Sequence, residues 1–510
     1  MRGPSERQVR ASAVRIAKGG RGGSSRLFRV AWWSERLLDW SMAHPAFKTQ
    51  LFRFVDAFPA CRDDEDVLRH LREYLGGPEA PGLLPVALDG IARIPGGPRL
   101  AASAAQGNVS RLARQFIAGT DAEAALPVLE GLWRSGEAAT VDLLGEKTVT
   151  GEEADRYVVR LLDTLETLAR AARSWPASQR LERDQHGTIP RVNLSVKPTA
   201  LAPRFAPLSA EDGIAEAAER LRPVLARAKQ LGATIHLDTE YDEAKDLTFT
   251  LLRRVGSEFA DGPALGCVVQ AYRRDAFSDL SDLISWSKRR LRIPLQVRLV
   301  KGAYWDLETS VARAAGWTAP VFEDKPQTDA SYERCAWLLA TSAGEVRPAF
   351  ASHNLRSLAY GFAACATLGL DESAYEAQLL YGMAEPMHQG LRRMGMRVRA
   401  YAPVGELVPG MAYLVRRLLE NTSNESFLRH RYTEGRALRR LLRSPGVDWD
   451  ELPSPALDTP APLPTDAATP GPFRNEAHAE LRRPRPRARL GAAVARTPAS
   501  FPISAPVLIG

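Results

Sequence analysis

At 510 residues and 45% hydrophobic content, the chain can bury the core of a large α/β domain with extensions. No run of about eighteen apolar residues occurs, which excludes a membrane-spanning helix. The four cysteines, Cys61, Cys267, Cys335 and Cys365, form no CxxC pair, which argues against a disulfide framework or a metal centre and suits a reducing cytoplasm.

The net charge of +8 gathers at the two ends. Arg482, Arg483, Arg485, Arg487 and Arg489 lack the interleaved aromatics of a single-strand nucleic-acid surface, so no nucleic acid is predicted. Such ends are solvated or touch an anionic membrane peripherally.

Residues 1–30 are Arg- and Ser-rich and poor in acid, without the apolar segment of a secretory signal. They read as a disordered or weakly helical basic leader, with organellar targeting as an alternative. Residues 31–136 read as helical. Phe47, Leu51, Phe54, Val55 and Phe58 share one helical face that Pro59 ends, and a second helix over Glu65–Tyr74 stops at Gly76-Gly77-Pro78.

From residue 137 the texture changes. Short β-branched runs at 139–145, 190–197, 234–240, 266–272, 295–302, 348–354, 377–382 and 397–404 alternate with amphipathic stretches. Eight strand–helix units predict a distorted (βα)8 barrel over 137–435. Ser209, with Asp212 three residues on, marks the start of the helix after the second strand. Polar residues at the ends of these runs, among them Glu146, Lys197, Asp238, Glu240, Gln270, Lys301, His353 and Asn354, fall on the rim where barrel enzymes carry their chemistry. A Pro-, Ala- and Thr-rich linker (436–470) and a low-complexity, disordered tail (471–510) are expected beyond.

Three segments stand out chemically. In Arg298–Asp306, alternation puts Arg298 and Val300 on one strand face, and Gly302 lets backbone approach a ligand. Ala351–Asn354 brings a hydroxyl, an imidazole and an amide to a strand end. In Tyr413–Asn421, the residues Tyr413, Arg416, Arg417 and Glu420 share a helical face. Adjacent guanidiniums repel unless an anion lies between them, and a carboxylate substrate answers that need. A solvated surface pair is the commoner origin of such a dipeptide.

Together with Leu379–Pro386, Tyr401–Gly405, Asp142–Glu146 and Ser195–Lys197, these segments resemble, in order over about 31–435, the proline dehydrogenase domain of bacterial proline utilisation A. The resemblance implies FAD in the barrel mouth and oxidation of L-proline to Δ1-pyrroline-5-carboxylate by hydride transfer from proline C5 to flavin N5. A membrane quinone is the implied acceptor, with a cytoplasmic location and peripheral contact at the inner face of the membrane. Arg298 would lie near N5 and Gln270 would hydrogen-bond the ring. Val300, Gly302, Ala303, Tyr304 and Trp305 would line the cofactor, and Lys325, Ser352, His353 and Asn354 its pyrophosphate or adenosine part. Lys197, Arg416 and Arg417 would hold the proline carboxylate, with Glu420 orienting one arginine and Asp238 supporting the group. Leu380, Tyr401 and Tyr413 would wall the proline ring, and Glu146 would gate the site by pairing with an arginine, Arg416 by preference. Residues 471–510 resemble the start of an aldehyde dehydrogenase domain, so that second activity is expected to be absent from this chain.

Overall fold

The computed structural model describes residues 3–20, 44–80, 82–145, 147–406, 441–453 and 478–496. Helix α1 (Glu6–Gly19) opens the chain. Helices α2 (Pro45–Ala57), α3 (Asp64–Leu75), α4 (Leu84–Arg93), α5 (Gly97–Phe116) and α6 (Ala122–Arg134) lead to the first strand. Then follow β1 (Glu137–Leu143), α7 (Gly151–Ala172), β2 (Asn193–Val196), α8 (Ala210–Leu231), β3 (Thr234–Leu237) and α9 (Asp242–Glu258). Next come β4 (Ala264–Gln270), α10 (Ala276–Arg290), β5 (Gln296–Val300), α11 (Trp305–Ala315) and α12 (Lys325–Thr341). The series closes with β6 (Arg347–Ala351), α13 (Leu355–Thr367), β7 (Glu376–Leu380), α14 (Glu385–Arg393) and β8 (Val398–Val404). Helix α15 (Pro484–Arg496) stands apart in sequence.

The eight strands β1–β8 pair in parallel, each with the next, and close into a barrel. Closure joins β1 to β8 from Glu137↔Val398 to Leu143↔Val404, and β1 to β2 at Val141↔Leu194 and Asp142↔Ser195. Each of the eight runs expected from sequence supplies one of these strands.

Alternation explains why strands so rich in polar residues are stable. In β8, Val398, Ala400, Ala402 and Val404 are fully buried, while Arg399 and Tyr401 between them bond to the buried carboxylates of Glu376 and Asp238. In β5, Val297 and Leu299 are buried apolar residues, and Gln296 and Arg298 enter the same polar interior.

The helices have identifiable starts. Thr150 and Glu153 form a capping box ahead of α7. Ser209 does precede α8, but its hydroxyl donates to the Arg204 carbonyl at 2.8 Å instead of capping.

The N-terminal helices build a second apolar cluster. Phe47, Phe54 and Val55 of α2 join Val67, Leu68, Leu71 and Leu75 of α3. Leu144, just past β1, and Met383, just past β7, belong to the same cluster, and Leu380 packs against it. This helical arm therefore rests on loops at the C-terminal mouth of the barrel.

Both ends carry helix, which for the leader is one of its two readings. Within the leader, residues 6–19 form a helix opened by a Ser5–Gln8 capping box, with Val9, Ala13, Ile16 and Ala17 buried against α13 and α14. The approach is close: a Cβ on Gly390 would come within 2.5 Å of the Ile16 carbonyl. Glu6 ion-pairs with the buried Arg356 at 2.7 Å.

Within the low-complexity, arginine-rich tail, residues 478–496 are described and include α15. The Arg482 side chain is 2% exposed, lies 2.7 Å from Asp242, and stacks 4.8 Å from the Trp317 ring centroid. A carboxylate and an aromatic face together offset the desolvation of its guanidinium. The expected linker lies largely, and the final residues 497–510 entirely, outside the described residues.

Candidate active site

A cavity of about 300 Å³ opens at the C-terminal ends of the strands. Lys197, Asp238, Gln270, Arg298, Val300, Gly302, Ala303, Tyr304, Ser352, His353, Leu380 and Tyr401 all line it. These twelve come from seven strand ends and were all singled out in the sequence. An outer groove between the start of α7 and α8 is larger, about 460 Å³, but its arginines are committed: Arg204 pairs with Glu216, and Arg220 with Asp155 at 2.7 Å.

Asp238 is the hub of the cavity. It accepts from Ser195 Oγ at 2.7 Å, Arg298 Nη1 at 3.0 Å and the Tyr401 hydroxyl at 2.7 Å. The Arg298 guanidinium also lies over the Tyr401 ring, 4.9 Å from its centroid. Beside this group Lys197 Nζ donates to Asp142, and the Lys197 N–H is bonded to the Tyr157 hydroxyl at 3.2 Å.

These neighbours set the protonation states. Burial would lower the Lys197 ammonium, but the Asp142 and Asp238 carboxylates override it and carry it up. Burial pushes Glu240 above the carboxylate range against a hydrogen bond from Thr199. Burial also pushes the Tyr401 phenol far up, with the two aspartates adding to the effect, so Tyr401 is a neutral donor to Asp238.

Two buried polar atoms of the cavity have no partner among the described residues: Gln270 Oε1 and Arg298 Nη2. The other end of the Gln270 amide is fixed, since Nε2 donates to the Thr239 and Glu240 carbonyls at 3.0 Å each. Gly302 has φ +127°, and a Cβ there would meet the Tyr272 ring at 2.4 Å. A free acceptor, a free cationic donor and a side-chain-free backbone fit the polar edge of a flat heteroaromatic cofactor.

Three expected residues do not line the cavity. Trp305 begins α11, is 41% exposed, and donates to the Phe322 carbonyl at 2.9 Å. Asn354 caps α13, its Oδ1 accepting from Ser357 N–H at 3.1 Å. Lys325 Nζ lies 2.7 Å from Asp329, which also binds Lys301. Glu146, Tyr413, Arg416, Arg417 and Glu420 lie outside the described residues.

Sequence reading missed Asp142 and Gln378 as cavity residues. Inward alternation from Thr140 in β1 and from Leu380 in β7 is the signal that finds them. His236 is wholly buried on the inner face of β3. Burial, then Arg298 and Arg399, hold it well below the usual imidazole range, and neither ring nitrogen has a partner among the described residues. Cys61, Asp66 and His70 cluster on the N-terminal helices, but the carboxylate is held by Arg69 and His70 Nδ1 lies 2.8 Å from the Asp66 carbonyl.

Comparison with known proteins fits this geometry. The family model for proline dehydrogenase matches residues 125–430, more than half of the chain. The chain belongs to the proline dehydrogenase family. The proline utilization A N-terminal domain matches residues 6–116, covering α1 and the helical arm.

Among relatives, the "Bifunctional protein PutA" of Escherichia coli K12 is 31% identical over 365 residues, which is 69% of this chain and 26% of that protein. "Proline dehydrogenase 1" of Bacillus subtilis 168 is 28% identical over 317 residues, covering 62% of this chain and 89% of that one. The crystal structure of proline utilization A from Bdellovibrio bacteriovorus, inactivated by N-propargylglycine, is 37% identical with a TM-score of 0.83. It covers 98% of this chain and 49% of that one. The chain thus spans about a quarter of the bifunctional relatives first matched and about half of that solved structure.

Proposed function

We propose that this chain is an FAD-dependent L-proline dehydrogenase producing Δ1-pyrroline-5-carboxylate. The observation that carries the reading is the Asp238–Arg298–Tyr401 cluster at the barrel mouth, in a chain whose residues 125–430 match the proline dehydrogenase family. The chemistry FAD supplies when bound is acceptance of a hydride at N5 from proline C5.

The chain's own residues bind and orient. Gln270 offers an acceptor and Arg298 a donor to the flavin edge. Val300, Gly302, Ala303 and Tyr304 shape the floor on which the ring rests. Ser352, His353 and Lys325 are assigned to the pyrophosphate or adenosine portion, while Asn354 and Trp305 hold the segments that carry them.

Charge bookkeeping supports a further cationic element. With Lys301 bonded to Asp329 and Glu240 pushed up by burial, the wall carries Asp142 and Asp238 against Lys197 and Arg298, an even balance. An anionic substrate therefore needs positive charge beyond the wall, and the reading gives that part to Arg416 and Arg417, assisted by Glu420. Lys197, with Nζ donors beyond the one given to Asp142, is the third carboxylate partner. Leu380, Tyr401 and Tyr413 wall the proline ring and exclude water, and Glu146 gates the site. Reoxidation by a quinone at a membrane surface is the acceptor side of the reading; no described helix is long and apolar enough to cross a membrane.

Anaerobic addition of L-proline to the purified chain is expected to bleach its flavin absorbance. Flavin that stays oxidised would refute the substrate, and no flavin after reconstitution with FAD would refute the reading. Alanine at Arg416 or Arg417 is expected to cost about 2–5 kcal/mol of proline binding; near-normal proline kinetics in either variant would remove the clamp assignment.

A further inference from the structure

Below the cavity floor, a continuous run of side-chain hydrogen bonds descends to the closed end of the barrel. Arg298 Nε donates to Gln378 Oε1 at 2.5 Å, and Gln378 Nε2 donates to Glu376 Oε1 at 2.6 Å. Glu376 also accepts from Gln296 Nε2 at 2.9 Å, and from Arg399 through Nε at 2.9 Å and Nη2 at 3.2 Å. Gln296 in turn accepts from Asn193 Nδ2 at 3.2 Å. Arg298, Gln378, Glu376 and Arg399 are all buried.

The direction of these bonds matters. An amide can present either end to a neighbour, and the Glu376 carboxylate decides the choice for Gln378 by requiring a donor. That turns the Gln378 oxygen toward Arg298, and the anion behind it makes the oxygen a stronger acceptor. Arg298 is thereby held at three points: Nε by Gln378, Nη1 by Asp238 and its face by Tyr401. Nη2 is the nitrogen left over, without a partner among the described residues.

Charge neutrality does not demand this arrangement. Asp238 already balances Arg298, and Arg399 balances Glu376. What Gln378 adds is orientation, because an arginine anchored at Nη1 alone can swing about that contact.

We propose that Gln378 and Glu376 are positioning residues: Gln378, its amide oriented by Glu376, fixes the Arg298 guanidinium so that Nη2 points at the flavin edge. This deepens the reading above and rests on it. Glu376 is not part of the cavity lining and Gln378 enters it beside Arg298; the role assigned to both is exerted through Arg298.

The test uses full-length holoprotein carrying Gln378→Met, which keeps bulk and removes both amide contacts, and Glu376→Gln, which keeps shape and removes the charge. Three readouts are compared with the parent: the visible flavin band and FAD dissociation constant without proline, kcat and KM for proline, and Tm. Gln378→Met is expected to shift the flavin band and weaken FAD binding several-fold. It should lower kcat by about tenfold to a hundredfold, as loss of alignment does, with KM for proline within about twofold. Glu376→Gln is expected to move the same readouts in the same direction by less.

A parental flavin band and kcat in Gln378→Met, or a change confined to Tm, overturns the proposal. If Gln378→Met does not fold, Glu376→Gln decides it on the same criteria. The band and the FAD constant are read without proline. A parent protein that fails to oxidise proline would therefore refute the substrate reading while these two readouts still decide the positioning role.

Discussion

The two ends of the barrel interior hold buried carboxylates of opposite character. At the closed end, burial alone would raise Glu376, but Arg399 and the Gln378 amide hold it below the usual carboxylate range, with both oxygens bonded. At the mouth, burial pushes Glu240 up, Asp142 faces a second carboxylate in Asp238, and Gln270 and Arg298 each keep a polar atom without a partner among the described residues. The Glu376 carboxylate is complete within the protein, although Asn193 Oδ1 at the same end has no partner among the described residues. The mouth has bonding capacity to spare beside its carboxylates, which is what a binding site requires. Lengthwise coupling through Gln378 lets the Glu376 end steady the mouth.

Four substitutions break or sharpen that contrast. The largest stability loss is expected at the closed end: Glu376→Ala leaves Arg399 buried and unpaired, costing about 3–5 kcal/mol in urea unfolding. A loss below about 1 kcal/mol would mean that the closed end is not a structural keystone.

At the mouth, Asp238→Asn keeps size but weakens the hold on Arg298 and Tyr401. Proline turnover is expected to fall about a hundredfold, roughly 2.7 kcal/mol of activation free energy, with a smaller stability loss than Glu376→Ala. Steady-state kinetics and unfolding of the same preparation check this, and the reverse order of the two effects would contradict the division of labour.

Gly302→Ala places a Cβ against the Tyr272 ring at a φ that L-residues rarely adopt. An overpacking cost of about 1–3 kcal/mol is expected, together with reduced flavin retention after gel filtration.

The smallest effect is pH-dependent and lies just behind the mouth. Glu308 on α11 is pushed up to about 7 from an ordinary 4.5 by burial and then by Asp242, against the Asp242 N–H it accepts at 2.6 Å. Because the folded chain holds this proton more tightly than the unfolded one, the contribution is full below about pH 4.5 and is lost as pH rises through about 7. Glu308→Gln should therefore match the parent Tm near pH 5 and exceed it by about 1–3 °C at pH 8. Equal Tm differences at both pH values would remove the titration from the account.

Much of the architecture was legible because the barrel repeats itself. Each strand had to be a short apolar run flanked by turn residues, and all eight runs were visible, though their ends were misplaced by up to three residues. Short polar extensions such as Asp238–Glu240 look like strand until hydrogen bonding ends the pairing at Leu237. The cavity residues were found as rim positions and through resemblance, whereas Asp142 and Gln378 required knowing which strand face turns inward.

The packing of the chain ends was not legible in the sequence, for one reason. Val9, Ala13 and Ile16 have no partners nearby in sequence, and α1 is buried only because Gly390 and Arg356 come to it from more than 300 residues away. Arg482 in an arginine-rich stretch reads as solvated until Asp242 and Trp317 enclose it.

By itself, then, the sequence determined the repeating strand–helix order, the chemical types at the barrel rim and the family, because periodicity and local motifs carry these. Only the tertiary structure decided which polar groups are paired, which carboxylates burial pushes up, and how Glu376 reaches Arg298 through Gln378. Those outcomes depend on distances between groups from strands far apart in the chain, and on how much water folding removes from around them.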